Sequence, residues 1–171
     1  MTLRHWIISG LLLLGDSHIS LAEVVLGQAA PSCSLSKIGG GAEKKLDSFK
    51  GQVVYVDFWA SWCGPCAQSF PFMNQLHREL SSKGLAIVGV NLDEKAADAA
   101  GFLTKTPAHF EILADVGGSC PQGFGVKAMP SSYLIDRHGV VRHIHLGFKP
   151  SETEALRKEI DALLLEAAST P

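Results

Sequence analysis

The 171-residue chain has no second CxxC and no apolar run that spans a bilayer comfortably. Each absence weighs against a class. A structural zinc site takes four ligands and one CxxC supplies two, so a thiol-based metal-binding module, the lesser alternative, would need Cys33, Cys120 or a histidine to complete it. The longest apolar run, IISGLLLLG from Ile7 to Gly15, falls short of the roughly 20 residues a membrane helix needs. Lysine and arginine form no stripe and the formal net charge is −2, so nothing asks for nucleic acid or an anionic membrane surface as partner. There is no internal repeat, no long linker and no sign of a second domain. With 46% hydrophobic and 19% charged residues, the composition suits one globular domain.

What is present begins with a processing signal. Arg4 precedes the apolar run, and Ser20 and Ala22 supply the small residues of a signal-peptidase site. The expectation is a signal peptide over residues 1–22, cleaved before Glu23, and a domain over 23–171; an uncleaved N-terminal anchor is the alternative. No lipobox is visible, because Cys33 follows Ala-Pro-Ser far beyond the apolar run. An exported protein keeps disulfides. The four cysteines, Cys33, Cys63, Cys66 and Cys120, allow three complete pairings, and their number does not choose among them.

Hydrophobic patterning orders the elements. Leu35 and Ile38 suggest a short first strand. VVYVDF (Val53 to Phe58) and LAIVGVNL (Leu85 to Leu92) read as buried strands. Between them a helix runs from Cys63 to about Ser82 with Met73, Leu76 and Leu80 on one face and a kink at Pro71. Glu94 to about Lys105 reads as helix, Phe110 to Leu113 as a short strand candidate, and Cys120 to Phe124 as one helical turn. SSYLID and VVRHIHLG flank Arg137-His138-Gly139 as a hairpin. The last helix is expected from Ser151, with Ser151 and Glu154 as a capping box and Leu156, Ile160, Leu163 and Leu164 as its core stripe. The order β-α-β-α-β-β-α, after the short N-terminal strand, implies an α/β fold: a mixed sheet with helices on both faces.

The chemistry concentrates in FWASWCGPCAQSFP, Phe58 to Pro71. Cys63 stands where a strand hands over to a helix. Free backbone N–H groups at a helix start favour thiolate over thiol. Cys63 is expected to be the exposed sulfur and Cys66, one turn deeper, the shielded one. Cys63 then attacks a disulfide, and Cys66 attacks Cys63 to release the product. Asp57 interrupts an apolar strand just before the pair. As a buried carboxylate it would take the Cys66 proton; the plainer reading is a strand-end residue facing solvent. A purely structural Cys63–Cys66 bond would close too short a loop to constrain the unfolded chain much. His143 and His145 share one strand face and read as exposed polar residues ahead of a metal pair.

VDFWASWCGPC, Val56 to Cys66, resembles the thioredoxin superfamily throughout, with Pro71 where that family kinks its active-site helix and Met129-Pro130 similar to its cis-proline loop. The resemblance covers about residues 31 to 166 and implies a thioredoxin-like fold. The signal sequence, the Ala-Pro-Ser-Cys-Ser-Leu opening and the insert NLDEKAADAAGFLTKTPAHFEIL resemble the exported TlpA/ResA-like thiol-disulfide oxidoreductases. Membership implies an N-terminal strand extension, a central insert and residence in the periplasm or cell envelope. It implies Trp59 in the core, Trp62 on the dithiol rim, and a substrate groove of Trp62, Gly64, Pro65, Met129 and Pro130. It gives Glu94 a share in the proton chemistry beside Asp57, which stands where the branch commonly has asparagine. The Gly-Pro between the cysteines resembles reducing members; a disulfide oxidant or isomerase is the alternative. No cofactor beyond the Cys63–Cys66 disulfide is implied. The implied partners are protein disulfides, in apocytochrome c or copper-delivery proteins, with a CcdA/DsbD-type membrane thiol transporter as electron donor. Cys33 and Cys120 form a second, structural disulfide or remain two buried thiols; the branch usually holds larger apolar residues at both positions.

Overall fold

The computed structural model describes residues 24–115 and 117–166. The expected signal peptide lies outside them. Among the described residues no helix is long and apolar enough to cross a membrane.

A small antiparallel ribbon opens the domain: β1 (Ser34–Leu35) pairs with β2 (Lys44–Lys45). A 3-10 turn over Leu46–Phe49 then inserts Leu46 and Phe49 into the core. β3 (Val53–Trp59) is buried at all seven positions, which suits its β-branched and aromatic residues. Its alternation divides the interior. Val53, Tyr55 and Trp59 face a cluster containing Cys63, Cys66, Phe70 and Met73, whereas Val54, Val56 and Phe58 face a second cluster with Cys33, Cys120 and Phe124.

The chain continues through α1 (Gly64–Leu80), β4 (Leu85–Asn91), α2 (Ala96–Lys105), β5 (Glu111–Ala114), α3 (Ser119–Phe124), β6 (Ser131–Ile135), β7 (Val141–Leu146) and α4 (Thr153–Leu165). The main sheet has the order β5-β4-β3-β6-β7. β4 runs parallel to β3 and β5, while β6 runs antiparallel to β3 and β7. The sheet is therefore mixed. α1, α2 and α4 contribute to the first cluster, and α3 with the N-terminal segment covers the second. The strand candidate at Phe110 becomes the edge strand β5, a fifth member that the β-α-β-α-β-β-α order leaves out.

Pro71 sits inside α1, which runs through it to Leu80. Two local expectations shift. α2 starts at Ala96 with Lys95 as its cap, so Glu94 precedes the helix. The Ser151–Glu154 capping box does not form: a 3-10 turn already spans Pro150–Glu152, and α4 begins at Thr153 with no side-chain cap bond from Glu152. Proline's fixed φ starts the turn one residue before Ser151 and places that serine inside it. The Thr153 hydroxyl donates instead to the Pro150 carbonyl at 2.8 Å.

Candidate active site

The site is built where β3 ends. After Trp59 the chain turns through Ala60, Ser61 and Trp62, and the Cys63 amide donates to the Ala60 carbonyl at 3.1 Å. Cys63 is the N-cap of α1, and its sulfur accepts the Cys66 amide N–H at 3.2 Å. Cys63 and Cys66 are joined as a disulfide. In the reduced protein the same N–H and the helix start favour negative charge on the Cys63 sulfur.

The expected contrast in depth is weaker than the sequence suggests. Cys63 is 4% exposed and Cys66 0%. With the bond closed, exposure at the start of α1 lies with the neighbours of Cys63. Trp62 is 72% exposed, and Gly64 and Pro65 are exposed as well. Met129 packs against the cluster that holds both cysteines. The Met129–Pro130 peptide bond is cis, and the buried Pro130 accepts the Gly147 amide at 2.8 Å through its carbonyl.

Asp57 is fully buried, so it does not face solvent. It lies between Tyr55 and Trp59 in the β3 alternation, on the sheet face that α1 covers. Ser132 donates to its Oδ2 at 2.7 Å, and Oδ1 has no hydrogen-bond partner. Burial pushes the carboxyl up from its ordinary value of 3.8 to about 7, with the Ser132 hydrogen bond opposing the rise. A carboxyl poised there exchanges a proton near neutral pH. On the neighbouring strand Asp57 is in register with Gly89. A Cβ at Gly89 would stand 2.8 Å from Ile112, 3.1 Å from Phe110 and 3.2 Å from Trp59, so only glycine lets those side chains close over the strand.

The turn that presents Trp62 and Cys63 is fastened from the side. Asp93 accepts the Ser61 amide at 2.9 Å and the Ser61 hydroxyl at 2.8 Å, and the buried Asn91 side chain donates to the same carboxylate at 2.7 Å. This clamp was not read from the sequence. Its only signal is a polar Asn91 closing an apolar strand with Asp93 two residues on. Glu94, beside it, is exposed and makes no hydrogen bond or ion pair with any described residue.

Cys33 and Cys120 are joined as a second disulfide, buried on the opposite sheet face and linking the residue before β1 to α3. The structure thus selects one of the three pairings. His143 and His145 both turn to Glu159 of α4, with His143 Nδ1 3.4 Å and His145 Nε2 2.7 Å from its two oxygens. Among the described residues no group of three or more His, Cys, Asp or Glu is placed to hold a metal ion.

Fold and dithiol together define a thioredoxin-like thiol-disulfide oxidoreductase. The chain belongs to the Redoxin family, whose model matches residues 26–164. It is similar to the thiol-disulfide oxidoreductase ResA of Bacillus thuringiensis subsp. konkukian, at 33% identity over 70% of this chain and 68% of that one. It is also 33% identical to the thioredoxin-like protein YneN of Bacillus subtilis, over 79% of each chain. Among solved structures, the crystal structure described as a thiol:disulfide interchange protein DsbE from Chlorobium tepidum superposes with a TM-score of 0.78. It shares 48% identity and covers 83% of this chain and 99% of its own.

Proposed function

We propose that the protein reduces protein disulfides in the cell envelope. The observation that carries this reading is the placement of Cys63 at the cap of α1, accepting the Cys66 amide, with the buried Asp57 on the same sheet face. The reduced Cys63 thiolate attacks a substrate disulfide. One substrate sulfur leaves as a thiolate, and the other is held to Cys63 as a mixed disulfide. Cys66 then gives its proton to Asp57 and attacks Cys63, and the second substrate thiolate departs. Two electrons pass from the dithiol to the substrate. Trp62, Gly64, Pro65, Met129 and Pro130 form the rim against which the substrate chain lies, and the exposed Glu94 assists proton exchange from the solvent side.

Regeneration needs electrons, and a membrane thiol transporter of the CcdA/DsbD type is the donor this reading assigns. The substrates it assigns are apocytochrome c or copper-assembly proteins. The direction of transfer is tested by redox titration of the pair. A potential near the thioredoxin value of about −270 mV supports reduction, and one near about −120 mV supports oxidation. Substrate identity is tested with Cys66→Ala, which captures substrates as mixed disulfides on Cys63. Recovery of substrates on Cys33 or Cys120 instead would overturn the assignment of the nucleophile.

A further inference from the structure

A carboxyl sealed from water takes a proton in each cycle only if it also gives one up. We propose that Ser132 and Tyr55 carry the Asp57 proton across the sheet to the His145–Glu159 pair at the surface. This rests on the reading of Asp57 as the base for Cys66.

Strand register places the groups. Asp57 pairs with Ser132, and Ser132 pairs with His145, so the three stand in one cross-strand row on the face covered by α1 and α4. The Ser132 hydroxyl donates to Asp57 Oδ2 at 2.7 Å, and Tyr55, two residues before Asp57, stands on the same face of β3. Tyr55 and His145 line a cavity of about 10 Å³, room for about one water molecule. His145 Nε2 lies 2.7 Å from Glu159 Oε2, and the side chains of both are about a quarter to a third exposed.

The charged and titratable groups around this path are few. Tyr55 comes from β3, His143 and His145 from β7 and Glu159 from α4; the Lys149–Glu152 ion pair borders the cavity. Above all burial, then the Asp57 charge and more weakly that of Glu159, hold the Tyr55 hydroxyl well above the ordinary phenol range. Tyr55 therefore passes a proton on without resting as phenolate.

The proton balance closes without another reactant. In resolution the Cys66 S–H bond breaks, its proton goes to Asp57, and its electron pair forms the bond to the Cys63 sulfur. The bond from Cys63 to the substrate sulfur breaks, and that pair leaves on the thiolate. Asp57 then protonates Ser132 as Ser132 protonates Tyr55, and the Tyr55 proton reaches the His145–Glu159 pair and the solvent, where it protonates the departed thiolate.

The test separates the two chemical steps. Reduced protein reacts with an aromatic disulfide such as Ellman's reagent, and the two thiolate releases are followed by stopped flow at pH 6 in dilute buffer, where Asp57 rests mostly protonated and must be emptied through the relay before it can accept the Cys66 proton. Ser132→Ala and Glu159→Gln are expected to slow the second release about tenfold and leave the first unchanged. Ser132→Thr is expected to restore the rate, as is concentrated imidazole buffer for Glu159→Gln. Glu159 touches neither cysteine, so a general loss of structure would slow both steps instead. Wild-type second release in both variants, or equal slowing of both steps, overturns the relay. Asp57→Asn distinguishes the layers: wild-type second release in that variant overturns the base itself, whereas slowing there without slowing in Ser132→Ala and Glu159→Gln overturns the relay alone.

Discussion

The two disulfides are nearly equal in depth and unlike in the loops they close. Cys33, Cys120, Cys63 and Cys66 are each no more than 4% exposed. Yet one bond closes a separation of 3 residues at a helix start, under an exposed tryptophan, and the other closes 87 residues inside the opposite core. Burial therefore does not separate the bond proposed as reactive from the one proposed as structural; loop length and the exposed Trp62 beside Cys63 do.

The sharpest way to break this comparison is to disrupt each pair in turn. Cys63→Ser is expected to lower insulin reduction about a thousandfold or more, since the nucleophile is gone. The paired Cys33→Ser/Cys120→Ser variant should retain activity within about twofold at low temperature and lose about 4 to 5 kcal/mol of stability by denaturant titration. If that variant lost activity while keeping its stability, the second bond would not be structural. Stepwise reduction should open Cys63–Cys66 first and leave Cys33–Cys120 closed down to about −300 mV.

The neighbouring acid sharpens the contrast by pH. Asp57 holds its proton more tightly folded, at about 7, than unfolded, at its ordinary 3.8. Its contribution to stability is thus fully present below about pH 4, falls as pH rises toward 7, and is flat beyond. Asp57→Asn is expected to flatten this decline and, at pH 8, to stabilise the protein by up to about 4 kcal/mol while slowing resolution by Cys66. Parallel stability curves for variant and wild type between pH 4 and 8 would remove the buried-acid argument. The smallest effect is steric: Gly89→Ala should cost about 1 to 3 kcal/mol, because Ile112, Phe110 and Trp59 must move off the strand.

The central architecture was readable because its signals are long. Val53 to Phe58 and Leu85 to Leu92 are unbroken apolar runs, and Met73, Leu76 and Leu80 hold helical spacing. β2 was invisible because Lys44-Lys45 carries no apolar pattern; it forms because β1 offers it a partner. The capping box misled because Ser151 satisfies the motif while Pro150 starts the turn earlier. Asp57 was legible as a charge inside a hydrophobic strand. Ser132 and Tyr55 were not, since hydroxyl groups on a strand look alike until register sets one beside the acid. The choice of Cys33–Cys120 needed the fold, for only the packing of α3 against the N-terminal segment brings residues 87 apart together.

The grip of Asp93 on Ser61, through amide and hydroxyl at once, governs what opening the dithiol demands of the chain. The loop's freedom was surrendered when the protein folded. Rupture of the sulfur bridge thus leaves the two thiols at the end of an anchored strand-to-helix turn, and each new encounter starts from a ready conformation rather than a search.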